Sequence, residues 1–197
     1  MTLLEDTSRT FYEACTPVLA TERLVLRAPR REDVKQIAML ANDRRVAENL
    51  QQVPHPYTPA DAEQWIALTN TQPGDAHFVI ECADTIVGVC SIEQRDSGDR
   101  EIGYWFGVPF WGHGYATEAV RALIDHAFEI GGDQALVAGS RVSNPASRRV
   151  LEKCGFQWTG VALYRMRALQ SSAPCDRFRL ERAIWASLKS WGARKVA

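Results

Sequence analysis

The chain has 197 residues, 46% of them hydrophobic and 24% charged, with a formal net charge of −1. That is enough for one packed domain and barely for two, and so balanced a chain has no global basic field to attract nucleic acid. No apolar run approaches the length of a membrane span, and the acidic start Met1-Thr-Leu-Leu-Glu-Asp6 lacks a signal peptide's layout, so a cytoplasmic protein without a membrane partner is expected.

Residues 1–21 read as an N-terminal extension with at most one short helix, because Pro17 interrupts a longer one. Residues 23–28 alternate, with Leu24 and Leu26 on one face, and read as a first strand that Pro29 ends. Val34, Ile37, Ala38 and Ala41 recur at helical spacing behind Glu32 and Asp33, which suit a first turn. Thr58 as cap and Pro59 at the first helical position announce a second helix, with Ala62, Trp65, Ile66 and Thr69 on its apolar face. Three strand-like runs follow at 76–82, 86–94 and 100–107, and their close spacing implies an antiparallel meander. From Ala116 a helix turns Val120, Leu123, Ala127 and Ile130 inward and stops at Gly131 and Gly132. Residues 135–142 read as a strand. Asn144 and Pro145 open a short helix that Gly155 closes, strands at 156–167 and 176–183 follow, and 183–191 reads as a terminal helix. Residues 22–197 thus read as a single α/β (α+β) domain with mixed strand pairing.

Five cysteines (Cys15, Cys82, Cys90, Cys154, Cys175) are scattered, with no C-x-x-C pair and no zinc-ligand spacing to His55, His77, His113 or His126. Free thiols packed as small hydrophobes are expected, and no metal site.

The segment from Glu101 to Glu118 carries the most information. A strand runs into a loop with Gly112 and Gly114, and the loop runs straight into a helix. Bare N–H groups at a helix start favour an anion such as a pyrophosphate, and glycine lets it approach the backbone. No Lys-Ser/Thr pair follows the glycines, which excludes a P-loop NTPase. About thirty residues on, Asn144-Pro-Ala-Ser147 leads to Glu152-Lys-Cys-Gly-Phe156.

These two blocks, in this order and separated by one helix and one strand, resemble the GNAT superfamily of acyl-CoA-dependent N-acetyltransferases. The wording Gly-Tyr-Trp, then Trp-Gly-x-Gly-Tyr-Ala-Thr-Glu-Ala, is similar to its RimJ/RimL-type branch, which acetylates ribosomal-protein N-termini. The resemblance implies a mixed, mostly antiparallel sheet of about seven strands, with two parallel strands (100–107 and 136–142) splayed around a pantetheine arm. It implies backbone pairing to pantetheine by Phe106, Gly107 and Val108, with the Phe106 N–H aimed at the thioester carbonyl. It assigns the pyrophosphate to Gly112, His113, Gly114, Tyr115, Ala116 and Thr117, and the pantetheine amides and sulfur to Asn144 and Ser147. Acetyl-CoA is the implied co-substrate, an amine the acceptor, and a second copy of the chain a candidate partner. Many members carry a tyrosine acid at the position of Leu151; Leu151 cannot donate a proton, and Ser147 is the substitute.

Transfer to an amine needs a base, because an ammonium cannot attack. Glu101 is the candidate, set against a surface carboxylate without a role. Tyr104 shares strand parity with Phe106 and reads as an acceptor-pocket wall, a proton donor or a core residue. Glu93 reads as solvated rather than cleft-facing. Trp65, Trp105, Trp111 and Trp158 read as core or pocket wall. Acceptor recognition is expected from residues 44–60, as a lid or a rigid connector, and from a loop at 168–175. The leading acceptor is a protein α-amine. A small-molecule amine is the first alternative, and a non-catalytic acyl-CoA-binding module the second.

Overall fold

The computed structural model describes residues 16–69, 75–95 and 97–193. Eight strands form one sheet. β1 (Leu19–Ala20), β2 (Val25–Arg27), β3 (Ala76–Cys82), β4 (Thr85–Gln94) and β5 (Arg100–Phe106) make consecutive antiparallel pairs. β6 (Ala135–Arg141) then runs parallel to β5, and the hairpin of β7 (Gln157–Met166) and β8 (Ser171–Glu181) joins it through β8. The helices are α1 (Val34–Ala41), α2 (Arg44–Ala47), α3 (Pro59–Thr69), α4 (Tyr115–Glu129), α5 (Pro145–Lys153) and α6 (Arg182–Ala193). No helix among the described residues is long and apolar enough to cross a membrane.

Alternation along the strands divides the core into two layers. Phe78, Ile80, Cys90, Ile102 and Phe106 face α4, whose Ala119, Val120, Leu123, Ala127 and Phe128 are buried against them. Val79, Ile86 and Val89 face the other way, onto Val34, Ile37 and Ala41 of α1 and Ala62 and Ile66 of α3. Each Val, Leu, Ile or Phe among them, fully buried, stabilises the fold by roughly 1.5–3 kcal/mol. Gly88 on β4 lies where β5 passes closest; any side chain there would run into the Trp105 carbonyl oxygen.

The expected elements stand within a residue or two of their predicted bounds, with five differences. The sheet gains β1, whose two residues are too short to show a period, and α2, a single turn capped by Asp43. Ile130 caps α4 and is 75% exposed rather than inward, because the helix ends before it completes another turn onto the sheet. Trp158 belongs neither to the core nor to the cleft; it is 53% exposed on the edge strand, and its indole donates to Asp176 Oδ1 at 2.8 Å. The expected loop at 168–175 is a tight turn followed by β8, which starts at Ser171. Residues 1–15 of the expected N-terminal extension lie outside the described residues.

The start of α4 is pinned to the β1–β2 turn by one carboxylate. Glu118 Oε1 accepts from the Thr21 hydroxyl (2.6 Å) and the Arg23 backbone N–H (2.9 Å), while Oε2 accepts from Arg23 Nε (2.8 Å). Arg23 also donates to the His113 carbonyl oxygen at 3.0 Å and stacks over Tyr115. Burial raises the Glu118 pKa, but the hydrogen bonds from Thr21 and Arg23 outweigh it and leave the value below the ordinary one. A depressed carboxylate stabilises the fold above its unfolded pKa of about 4.3, and this contribution vanishes as pH falls through the folded value. Glu118→Gln should therefore lower the Tm by roughly 2–8 °C at neutral pH and flatten the acid limb of the stability curve. Thermal melts across pH 3–7 check it; parallel curves for the two proteins would remove the ion pair from the account.

Candidate active site

β5 and β6 part company after only three register pairs: Arg100 with Leu136, Glu101 with Val137, and Ile102 with Ala138. β6 continues along β8 to the Arg141–Cys175 pair, so β5 leaves while β6 stays in the sheet. On its other edge, the Gly107 N–H donates to the Val87 carbonyl at 2.9 Å. Antiparallel pairs alternate between hydrogen-bonded and open positions, so Phe106, opposite Gly88, directs its N–H and C=O into the gap. Its carbonyl accepts the Trp111 indole N–H at 2.7 Å. Gly107 gives its carbonyl to the Phe110 N–H as well, so both its backbone groups are committed within the protein.

Residues Val108–Phe110 form one 3-10 turn, and the chain then enters α4 through Gly112 and Gly114, with φ of +81° and +82°. Positive φ strains any side-chain-bearing residue, which explains glycine at both places. A Cβ at Gly112 would meet no atom within 4 Å, so the backbone there is open to a ligand. The first backbone bond of α4 runs from the Glu118 N–H to the Gly114 carbonyl. The N–H groups of Tyr115, Ala116 and Thr117 therefore have no intrahelical partner and carry the positive end of a 15-residue helix. His113 is exposed and stacks on Tyr115 at 5.6 Å between centroids.

Both features open onto one cleft of about 910 Å³. Phe106, Gly112, Gly114, Tyr115, Ala116, Thr117, Asn144 and Ser147 all line it, whereas Gly107, Val108 and His113 do not. The Asn144 side-chain oxygen accepts from the Ser147 N–H at 3.1 Å, the cap that starts α5, which leaves its NH2 group and that oxygen's second lone pair for a ligand. Tyr104 lies on the α4 side of β5, opposite in parity to Glu101, and is held by Ser147: its hydroxyl is 2.9 Å from Ser147 Oγ and donates to the Ser147 carbonyl at 3.1 Å. Burial pushes the Tyr104 phenol far above its ordinary pKa, against the pull of the Ser147 hydrogen bond, so it stays protonated through the neutral range. Leu151 is fully buried in the core below and lines no part of the cleft.

The other face of the sheet builds the second half of the cleft. Glu101 and Glu93 are directly opposite each other on β5 and β4, and Arg95 joins them: its Nε bonds Glu101 Oε2 and its Nη1 lies 3.5 Å from Glu93 Oε2. Glu93 thus faces the cleft rather than bulk solvent, and the Ser91 hydroxyl donates to it at 2.8 Å. His77, one strand further, is buried beside Trp65, with Nδ1 3.9 Å from Glu93 Oε1. Burial lowers the His77 pKa against the opposing pull of Glu93, so its imidazole is neutral at neutral pH. The roof is residues 45–53, and two arginines hold it. Arg141 Nη1 donates to the Glu48 carbonyl (2.8 Å), and Arg167 donates from its backbone N–H to Gln51 (3.0 Å) and from Nη1 to Gln52 (3.1 Å).

Sequence reasoning passed over His77, Arg95, Arg141 and Lys153, all of which line this cleft, as Arg149 does. Arg149 and Lys153 stand one turn apart on α5, and neither has a carboxylate partner among the described residues. Their i, i+4 spacing was a readable signal for one cationic helix face beside the free amides of α4.

A parallel pair splayed beside a glycine turn, with free amides at a helix start, is the frame of an acyl-CoA-dependent transferase. The sequence pattern described as "Acetyltransferase (GNAT) domain" matches residues 23–157, and the chain belongs to that family of N-acetyltransferases. It is 30% identical over 150 residues to an "Uncharacterized N-acetyltransferase p20" of Bacillus licheniformis, covering 73% of this chain and 84% of that protein. Over 81 residues it is 35% identical to the "Ribosomal-protein-serine acetyltransferase" of Escherichia coli (strain K12), 40% of this chain and 45% of that one. Among solved structures, RimJ of Mycobacterium smegmatis in complex with CoA-disulfide superposes with a TM-score of 0.75 at 19% identity, covering 84% of this chain and 88% of the other.

Proposed function

We propose that this chain transfers the acetyl group of acetyl-CoA to the α-amine of a protein N-terminus by direct attack within a ternary complex. The observation that carries the reading is the joining of two half-sites in one cleft: unpaired amides at the start of α4, and Glu101 on the opposite face beside the splay. The residues fit the co-substrate, since Gly112 and Gly114 leave the backbone open and the Phe106 N–H is unused by the β4 ladder. Acetyl-CoA supplies an activated thioester. Phe106 donates to the carbonyl oxygen as negative charge develops there. Glu101, directly or through a water, takes the proton from the amine. Ser147 passes its hydroxyl proton to the departing sulfur and takes one back from a water in the cleft, while Tyr104 holds Ser147 in place.

The α-amine acceptor rests on likeness to the ribosomal-protein-serine acetyltransferase and on the RimJ/RimL-like wording of residues 101–119. Incubating the protein with acetyl-CoA and a panel of peptides, polyamines and amino acids, with CoA release and acceptor mass as readouts, tests it. Preference for polyamines or free amino acids over peptides would overturn the protein N-terminus assignment, and no turnover on any amine would overturn the catalytic one. Ser147→Ala should reduce kcat by about ten- to hundredfold, below the full span of general acid catalysis because water also protonates a thiolate. Tyr104→Phe, which removes one neutral hydrogen bond, should cost about two- to tenfold. Equal losses from both would move the acid role from Ser147 to Tyr104.

A further inference from the structure

We propose that Arg141 is an acceptor-specificity residue: its guanidinium binds a carboxylate that the acceptor carries near its reacting amine. This deepens the acetyltransferase reading and rests on it.

Register places Arg141 on the acceptor face. Val137, Gly139 and Arg141 alternate onto one side of β6, and Val137 is paired with Glu101. A side chain at Gly139 would come within 3.7 Å of Glu101 Oε1, so Glu101 reaches over Gly139 toward the next same-face position, which is Arg141. Both residues line the cleft. Same-face neighbours on a strand stand about 6–7 Å apart, a span that an amino acid or the first two residues of a peptide bridges.

Among the described residues, Arg141 and Arg149 line this cleft without a carboxylate partner, and of the two only Arg141 stands on the β6 face that carries Glu101. Arg45 pairs with Asp43, Arg95 with Glu93 and Glu101, and Arg27 across the sheet with Asp33 and Glu81. Arg141 has no carboxylate partner among the described residues; its one hydrogen bond goes to a neutral carbonyl, Glu48 O. Its Nε is buried with no hydrogen-bond partner at all. Protein atoms cover that Nε, but the Nη groups remain, with Nη1 alone engaged and by a neutral oxygen, and a planar carboxylate entering from the cleft takes two guanidinium donors at once. Glu101 and Arg141 together therefore match an acceptor that brings an amine at one end and a carboxylate at the other. Two sources supply that pattern: the α-carboxylate of a free amino acid, or an acidic side chain at the start of a polypeptide.

The test uses matched acceptors that differ only in that charge, with binding read apart from turnover. One arm pairs serine with serine amide; the other pairs the amides of Ser-Glu-Ala and Ser-Gln-Ala. Calorimetry on the CoA-loaded full chain should show the carboxylate member binding about ten- to hundredfold tighter in one arm, which names the source. Arg141→Gln should erase that ratio while the neutral member binds as before, and Arg141→Lys should restore part of it. If Arg141 merely clips the roof through Glu48, Arg141→Gln weakens both members alike and the ratio survives, which overturns the proposal. Wild-type protein that binds both members of each pair equally overturns it as well. Carboxylate-selective binding without acetyl transfer would leave the Arg141 assignment intact and sink the catalytic reading instead.

Discussion

Gly114→Val should raise the dissociation constant for acetyl-CoA a hundredfold or more while the protein still folds. Two costs act together. The residue at 114 holds φ of +82°, where a β-branched side chain is strained by roughly 1–3 kcal/mol. Relief of that strain turns the amides of 114–117 away from their common target. Separately, the added methyl groups occupy the space in front of those amides, and losing two charge-assisted hydrogen bonds is worth about a hundredfold or more. A Cβ at 114 would lie 3.5 Å from Arg23 Nη2, ordinary contact, so Gly114→Ala keeps the Arg23–Glu118 clamp and should weaken acetyl-CoA in the same direction. A control separates the diphosphate from everything else: S-acetylpantetheine, which has no phosphates, should bind wild type and Gly114→Val within a few-fold of each other. If both ligands weaken equally, the helix start is not the diphosphate site. If neither weakens, the cleft binds its ligand elsewhere.

The half of the site built from backbone was legible in the sequence; of the side chains on the opposite sheet face, Glu101 was named and its charged neighbours were not. Gly112, Gly114 and the helix from Tyr115 announce themselves because glycine takes their φ without strain and a helix start leaves amides bare. The strands β3 to β6 were equally readable, since each is a short run rich in apolar, β-branched or aromatic residues between turn residues. The acceptor half depends on which strand lies beside which. Arg95 and Arg141 are 46 positions apart and look like surface charges until the sheet order puts β4, β5 and β6 side by side. Glu93 misled for the same reason: a glutamate near a strand end reads as solvated, yet here it stands opposite Glu101 with one guanidinium between them. Ile130 and Trp158 failed differently. Both are apolar residues at the end or edge of an element, where periodicity continues on paper after the partner surface has stopped.

Glu101→Gln should lower kcat by about 10²–10⁴-fold with acetyl-CoA affinity nearly unchanged, because the carboxamide keeps the shape and removes the proton acceptor. The loss should be largest at low pH, where the amine is protonated and hydroxide is scarce, and it should narrow as pH rises and the amine deprotonates unaided. The neighbours sharpen the prediction. Arg95 bonds Glu101 and Glu93 at once, so neutralising Glu101 leaves the guanidinium with Glu93 alone. Glu93→Gln measured beside it distinguishes a base from a scaffold: it removes the other end of the bridge without touching Glu101, and its rate should fall far less. His77 is the remaining proton acceptor in reach of this pair, neutral through burial and 3.9 Å from Glu93. A chain in which Glu101→Gln keeps full rate while His77→Gln loses it would put the base on β3, with Glu93 as its orienting partner. A rate unchanged in all three variants would mean that the amine arrives already deprotonated, and that the cleft contributes position and oxyanion stabilisation alone.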